Sequence, residues 1–174
     1  NGKISFCETN QKEFLLEWLQ IMGSITHENR LYGDLSSIDN LRLFGTLYGV
    51  EELKLKIDEI LAKIDLTQVA QLPVRNFSSG MTKRLMIGRL MLCQPKILIL
   101  DEPYTSLDQH SFRWFQQYLQ EFHQRGGTVF MVTHQLELGL ELATRVLVLH
   151  RQTIMHDISA AGLSMDQCSA WLEK

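Results

Sequence analysis

The stretch ILILDEPYTSLD, from Ile97 to Asp108, joins a short apolar run to a group of acids. Its first four residues have the composition of a strand that is buried on both faces of a parallel sheet. Asp101 and Glu102 follow at once, and Asp108 comes a short way on. Adjacent carboxylates at the end of a buried strand are unfavourable unless a cation lies beside them. The stretch therefore raises the question of which cation these acids hold.

Asp101 and Glu102 allow two interpretations. Ligands of open parallel sheets bind at the carboxyl ends of the strands. There Asp101 can hold Mg²⁺ that bridges phosphate oxygens, and Glu102 can polarise a water for attack. The competing interpretation is a helix N-cap or an exposed pair of acids. For the two acids taken alone, this structural interpretation is favoured.

Two further segments carry polar residues in suggestive places. VFMVTH ends in His134, thirty-two residues beyond Glu102. A histidine at a strand end is usually structural, but two strands that end in acids and in histidine would bring these groups to one edge. NFSSGMTKRL places Ser78, Ser79 and Gly80 before a helical pattern, where backbone N–H groups and the helix dipole attract anions. Its ordinary interpretation is a capped helix start.

The order of the predicted elements indicates an α/β fold. Residues 36–93 are predicted to be helical, with Ser36, Ser37 and Asp39 as helix caps and an amphipathic stripe later on. From residue 96 to residue 149 strands alternate with helices, which predicts a parallel sheet covered by helices. The strands at 96–100 and in TVFMVTH are both expected to be buried, and two strands with a tight turn near Arg151 and Gln152 follow.

The first 25 residues are less clearly patterned. Lys3–Phe6 alternates like a short strand. Phe14 to Met22 shows helical spacing of apolar residues, and Gly23 is expected to end this helix. A strand over Ile21 to Ile25 is the competing prediction. The chain starts without Met and enters a strand-like pattern directly, so we expect it to begin within a domain.

Composition excludes several classes of protein. The 174 residues have 45% hydrophobic and 21% charged content, which is typical of a globular domain. A net charge of −3 gives no indication of nucleic-acid binding. Three scattered cysteines fit a reducing cytosol, and neither a signal peptide nor an apolar run long enough to span a membrane is present in the sequence.

Taken together and in this order, the motifs resemble those of the ATP-binding subunits of ABC transporters. FSSGM (Phe77 to Met81) is similar to their signature motif, ILILDEP to Walker B with its catalytic glutamate, and SLD (Ser106 to Asp108) to the D-loop. HENRLYGDLSSIDNLRLFGTLYGV is similar to the Q-loop region and the start of the helical subdomain. The resemblance implies a P-loop NTPase-type parallel sheet core, here incomplete, with an inserted all-helical signature subdomain. It places the core lobe at residues 1–26 and 94–174 and the helical subdomain at 27–93.

The resemblance also implies roles for single residues. Asp101 would hold Mg²⁺, Glu102 would activate the attacking water, and His134 would contact the γ-phosphate of ATP. The residues expected to bind nucleotide, in part the nucleotide held by a second subunit of a head-to-tail pair, are Ser78, Ser79, Gly80, Asp108 and His27. Transmembrane permease subunits would dock near His27 to Leu35, which places the protein in the cytoplasm as a peripheral protein on the inner face of the cell membrane.

The chain departs from the family pattern in several places. No G-x-x-x-x-G-K-[ST] sequence, the Walker A loop that cradles the phosphates, occurs in it. Gly2-Lys3 is followed by Ile4 rather than by Ser or Thr, so we expect that loop upstream and expect this chain alone neither to bind nor to hydrolyse ATP appreciably. His27 stands where the family has Gln, and Ser79 and Met81 replace a signature Gly and Gln.

The likenesses indicate a branch of the family, and the departures leave two alternatives open. The signature and helical segments look most like the branch of the cytochrome c biogenesis haem exporters and related ABC-2-type exporters. A soluble ABC-type ATPase without a transport role keeps the fold, although such proteins usually carry two cassettes or long insertions. A degenerate or regulatory subunit without its own ATPase activity is the other alternative. The missing Walker A loop favours it, whereas Glu102 and His134 argue against it.

Overall fold

A computed structural model of the protein describes residues 21–26, 28 and 30–172. The chain divides into two compact units, Asn1–Phe130 and Met131–Lys174, and each is described by itself. The strand expected at Lys3–Phe6 lies outside the described residues, as does most of the helical pattern that begins at Phe14. The lobe boundaries at residues 26/27 and 93/94 stay a prediction.

The middle of the first unit is helical, as the sequence predicts. It contains helices α1 (Ser37–Leu47), α2 (Leu53–Lys63) and α3 (Ser79–Cys93), and two short 3₁₀ turns lie between α2 and α3, at Thr67–Val69 and Val74–Asn76. The first of these helices starts where its capping residues predict. The Ser36 side chain accepts a hydrogen bond from the Asp39 backbone N–H, which satisfies one of the unpaired donors of the first turn.

Helix α3 lies at the centre of this unit. Its residues from Leu85 to Leu92 are all buried, because α1, α2 and the first strand pack around it. The predicted apolar stripe of α2 is confirmed, since Ile57, Leu61 and Ile64 are buried in the same core. A helix that is surrounded in this way holds its own N-terminus in a fixed place, and that N-terminus carries the signature-like residues.

Strands β1 (Met22–Ile25), β2 (Ile97–Asp101) and β3 (Thr128–Val132) form one sheet in the order β1-β2-β3. β1 and β2 are parallel, with Met22 opposite Ile97, and helix α4 (Gln109–Gln124) connects β2 to β3. Ile21 is helical and β1 begins at Met22, so the predicted helix ends one residue earlier than expected, and the competing prediction of a strand over Ile21 to Ile25 is confirmed for Met22–Ile25. Gly23 lies within β1, where a Cβ atom would come 2.6 Å from Leu90 Cδ2.

The prediction that β2 and β3 are buried on both faces is also wrong for the described part of the chain. Leu98 and Leu100 are buried, whereas Ile99 between them is 43% exposed and Phe130 in β3 is 58% exposed. Successive side chains of a strand point to opposite faces of the sheet. One face is therefore covered among the described residues, and the other is open.

The second unit contains helix α5 (Leu136–Leu142), strands β4 (Arg145–His150) and β5 (Thr153–Ser159), and helix α6 (Met165–Leu172). β4 and β5 pair in antiparallel fashion, as predicted. Arg151 and Gln152 both have positive φ, +46° and +66°, as a two-residue type I′ turn requires. The sequence reasoning did not predict α6. Within the ranges that the structure describes, no helix combines the length and apolarity that a bilayer crossing requires.

Candidate active site

The acids of the opening stretch lie on one turn that leaves the end of β2. This segment, Asp101–Asp108, is called the acidic turn. It begins with the half-buried Asp101 and Glu102 and ends with Asp108, the residue directly before α4. Glu102 and Ser106 adopt left-handed backbone conformations, with φ of +44° and +69°. Each such residue other than Gly costs about 1 kcal/mol or more, so the surrounding contacts must hold the turn in place.

Asp108 closes the acidic turn by capping α4. Its carboxylate accepts a hydrogen bond of 2.7 Å from the Ser111 backbone N–H. That hydrogen bond lowers the pKa of Asp108, and the positive charge of Arg84 lowers it further. Asp108 is thus a helix N-cap in addition to its place in a D-loop-like motif, whereas the capping interpretation of the sequence concerns Asp101 and Glu102.

The signature segment, Ser78–Gly80, forms the start of α3. Ser78 is the N-cap, and its hydroxyl oxygen accepts from the Met81 backbone N–H at 3.2 Å. Ser78 and Ser79 are exposed, and Gly80 is half-buried. The ordinary capping interpretation is therefore correct for Ser78. It is compatible with anion binding, because the first turn of a helix carries further backbone N–H groups without helical partners.

The start of α3 packs directly against the acidic turn. A Cβ atom on Gly80 would come 3.0 Å from the Ser106 carbonyl oxygen, which is a backbone atom that cannot easily move. One helical turn later, Arg84 lies 3.8 Å from the Asp108 carboxylate and 3.5 Å from that of Asp65. The glycine allows close approach and the arginine adds charge complementarity, so the signature segment and the acidic turn form one assembly.

Lys83 is a cation that the structure places beside Asp101 and Glu102. Its ammonium group donates a hydrogen bond of 3.2 Å to the Glu102 backbone carbonyl. Burial lowers the pKa of Lys83, and the negative charges of Asp101 and Glu102 oppose this effect by favouring its charged form. One of the cations beside these carboxylates is therefore a side chain of the protein itself.

The residues present also fit Mg²⁺. This ion needs hard oxygen ligands in octahedral geometry, and one or two carboxylates together with phosphate oxygens and waters are sufficient. Asp101 supplies such a carboxylate at the half-buried carboxyl end of β2. No group of three His, Cys, Asp or Glu side chains among the described residues could hold a metal ion without other ligands. An ion at Asp101 would therefore depend on the oxygens of a bound phosphate.

Two predicted site residues are not brought into this assembly by what the structure describes. His134 lies two residues beyond the end of β3 and is exposed, and it belongs to the unit Met131–Lys174. His27 lies outside the described residues. Their predicted roles toward the γ-phosphate and the nucleotide stay predictions.

The loop that follows β1 is tied to α3 by a buried arginine. Arg89 donates to the Ser24 carbonyl at 3.1 Å and to the Arg30 carbonyl at 3.3 Å. Its guanidinium also lies 4.7 Å above the centre of the Phe44 ring of α1. Because Ser24 and Arg30 lie before and after the position of His27, Arg89 fixes both ends of this loop.

Sequence reasoning missed Lys83, Arg84 and Arg89. A partial signal was present, since Lys83 and Arg84 lie on the first turns of a helix that starts with the signature segment. The adjacent carboxylates Asp101 and Glu102 also indicated that a cation lies beside them. Which cation meets which acid depends on contacts across the fold that spacing along the chain does not show.

Comparisons with known proteins agree with these features. The family model described as "ABC transporter" matches residues 1–105. The linearmycin resistance ATP-binding protein LnrL of Bacillus subtilis is 30% identical over 86% of this chain and 48% of its own length. A lantibiotic transport ATP-binding protein of Streptococcus pyogenes is 36% identical over 69% and 53%, respectively. A cytochrome c biogenesis ATP-binding export protein of Cupriavidus metallidurans is 35% identical over 68% and 56%.

The fold is also that of solved structures. The ATP-binding subunit of an ABC transporter superimposes with a TM-score of 0.89 over all of this chain and 77% of its own, at 22% identity. An ATP-binding cassette dimer bound to ADP and phosphate gives a TM-score of 0.75 over 90% of this chain and 70% of its own. The chain spans about half the length of the curated relatives that it matches. On the family match and these relatives, the chain belongs to the ABC transporter family, among its ATP-binding subunits.

Proposed function

We propose that the protein hydrolyses ATP at the acidic turn and couples hydrolysis to export through membrane permease subunits. The observation that carries this proposal is the packing of the exposed signature segment against the acidic turn, through Gly80 and Ser106 and through Arg84 and Asp108. In a head-to-tail pair of subunits, one face of this assembly would serve the chain's own nucleotide and the other face would serve the nucleotide of its partner.

The chemistry is assigned to four side chains. Glu102 accepts a proton from the water that attacks the γ-phosphate, and the bond to the leaving ADP oxygen breaks as the new bond forms. Asp101 would hold Mg²⁺, which when bound supplies neutralisation of charge on the phosphate oxygens. His134 is assigned to the γ-phosphate, and His27 to the nucleotide site in the place of the family's glutamine.

The signature segment is assigned to the nucleotide of the second subunit. Ser78 and Ser79 are exposed at the N-terminus of α3, where a partner can reach their hydroxyl and backbone N–H groups. The hydroxyl of Ser79 can donate a hydrogen bond at a place where the family pattern has Gly. One related structure, an ATP-binding cassette bound to ADP and phosphate, is dimeric.

Partners and location follow from the same proposal. Permease subunits would hold the protein at the cytoplasmic face of a membrane. Export is favoured because one relative is named as an export protein in cytochrome c biogenesis and another as a lantibiotic transport protein. The relatives are named for different compounds or processes. The transported compound would be selected by the permease subunits.

The test is the Glu102→Gln variant of the full-length protein that contains this chain. The amide keeps the shape of the carboxylate but cannot take a proton, so ATP turnover should fall by about 10²-fold or more while ATP still binds. Turnover is measured by phosphate release, and binding by titration calorimetry.

Glu59→Gln is the matched control, because Glu59 is an exposed residue of α2. It should leave turnover unchanged. Unaltered turnover in Glu102→Gln would contradict the assignment of the base. A parent protein that binds Mg-ATP without any turnover would instead indicate the regulatory alternative.

A further inference from the structure

The ammonium group of Lys83 connects the signature helix to the backbone of the proposed general base. It lies on the second turn of α3 and donates to the carbonyl oxygen of Glu102, 19 residues away in the sequence. We propose that Lys83 is a positioning residue that sets the direction of the Glu102 carboxylate. This inference rests on the proposed function, because it takes Glu102 as the base.

Glu102 needs such a contact because of its backbone. With φ of +44°, Glu102 adopts the left-handed backbone conformation, which is unfavourable for residues other than Gly. Rotation of the adjoining peptide group would release Glu102 from this conformation. Within the turn, the Glu102 carbonyl accepts a hydrogen bond of 3.3 Å from the Thr105 N–H. The second donor, Lys83, approaches at 3.2 Å from another element and fixes the carbonyl from outside the turn.

The charge of Lys83 supports the same role. The ammonium is about half-buried, and the carboxylates of Asp101 and Glu102 favour its charged form against the effect of burial. A half-buried cation that faces two acids strengthens its hydrogen bond to the carbonyl and attracts the side chains that it orients. An uncharged residue of the same length would lose both effects.

The position of Lys83 has a consequence for a pair of subunits. The start of α3 carries Ser78 and Ser79, which are assigned to the nucleotide of the partner. Five residues after Ser78, the same helix carries Lys83, which contacts the backbone of the proposed base Glu102 in the chain's own site. A displacement of α3 when the partner's nucleotide binds would therefore reach Glu102 through Lys83. The residue would join the two sites within one chain.

The experiment compares Lys83→Met with Lys83→Arg in the full-length protein. Lys83→Met keeps the length of the side chain and removes the donor and the charge. We expect kcat to fall about tenfold, because a displaced base still reacts, with the KM for ATP changed less than about twofold. Lys83→Arg keeps a charged donor and should restore kcat to within about threefold of the parent.

Two further variants separate positioning from a general structural role. Lys54→Met removes an exposed lysine from α2 and should leave kcat unchanged. Adding Lys83→Met to Glu102→Gln should lower the residual rate less than about twofold, since there is no longer a base to position. Parental kcat in Lys83→Met, or an equal further loss in the double variant, would overturn the proposal.

The result for Glu102 is read first. If Glu102→Gln retains full turnover, the proposed function fails at the base, whatever Lys83 does. If Glu102→Gln is impaired and Lys83→Met is not, only the positioning role fails. Should Lys83→Met not fold, Lys83→Gln, which keeps an uncharged donor, takes its place, and a kcat equal to the parent's would then overturn the role of the charge.

Discussion

Arg89 is a charged residue in a place where charge is usually avoided. Its side chain is buried, and burial is the main reason why its pKa is lowered from the ordinary value of an arginine. The structure compensates with carbonyl oxygens of Ser24 and Arg30 and with the face of Phe44. These three partners come from β1, from the loop after it and from α1, so one guanidinium joins all three to α3.

We predict that Arg89→Met destabilises the protein by about 2 kcal/mol, because it leaves two carbonyl groups without their charged donor. For a domain of this size that loss lowers the Tm by about 4–8 °C, which differential scanning fluorimetry measures directly. Arg89→Lys should not restore stability, since a single ammonium does not have the forked geometry that reaches two carbonyls.

Arg42→Met is the control for this prediction. Arg42 pairs with Asp39 on the exposed side of α1, where an ion pair contributes about 0–1 kcal/mol. Its Tm should stay within about 2 °C of the parent. If Arg42→Met and Arg89→Met lower the Tm equally, the buried contacts of Arg89 do not have the importance given to them.

The residues of the site that belong to a short sequence motif could be predicted from the sequence. Asp101, Glu102 and Ser78 were identified as candidates because they stand in short patterns with a chemical reason for each member. Lys83 and Arg89 could not be identified in this way. Their partners lie 19 residues away for Lys83 and 59 and 65 residues away for Arg89, and only the fold brings these groups together.

At the scale of elements, the close approach of α3 to β1 depends on Gly23. A Cβ atom at this position would come 2.6 Å from Leu90 of α3, 2.7 Å from Pro95 and 3.3 Å from Leu98 of β2. We predict that Gly23→Ala destabilises the protein by about 2 kcal/mol through overpacking, because the Pro95 ring cannot rotate away. The Tm should fall by about 5 °C.

Gly33→Ala is a matched control for Gly23→Ala. A Cβ atom at Gly33 would meet its nearest neighbour, Arg75 Cβ, at 3.7 Å, which is ordinary contact. This variant should melt within about 2 °C of the parent. If Gly23→Ala keeps the Tm of the parent, α3 and β1 can move apart without loss of stability, and the prediction of overpacking is wrong.

The elements themselves were predictable where their pattern was long. Helix α2 has a stripe that repeats over three turns, and the hairpin has two strand-like segments on either side of a short turn. β1 has only four residues and follows a helical spacing, so periodicity alone could not separate helix from strand. The open face of β2 could not be predicted either, because an apolar run does not reveal which of its faces a neighbour covers.

For the whole molecule, the main question is where the permease binds. Tyr32 is 53% exposed, whereas Leu31 and Leu35 are half-buried. The interpretation that competes with permease docking is that Leu31, Tyr32 and Leu35 pack between the two lobes, and it is weakest for Tyr32. Its backbone is held by Asn40, which accepts from the Tyr32 N–H at 2.8 Å and donates to its carbonyl at 3.0 Å. A fixed backbone with an exposed aromatic side chain is a suitable anchor for a partner.

We predict that Tyr32→Asp abolishes co-purification of the full-length protein with its permease and leaves the Tm within about 2 °C of the parent. The side chain contributes little to the core, because it is mostly exposed and its ring lies 6.2 Å from that of Phe44. Leu47→Asp is the matched control, since Leu47 is 62% exposed on α1 and lies outside the docking segment. It should keep the complex. If Tyr32→Asp lowers the Tm and loses the complex only as a result, Tyr32 is a packing residue; if the complex purifies as before, the permease binds at another surface.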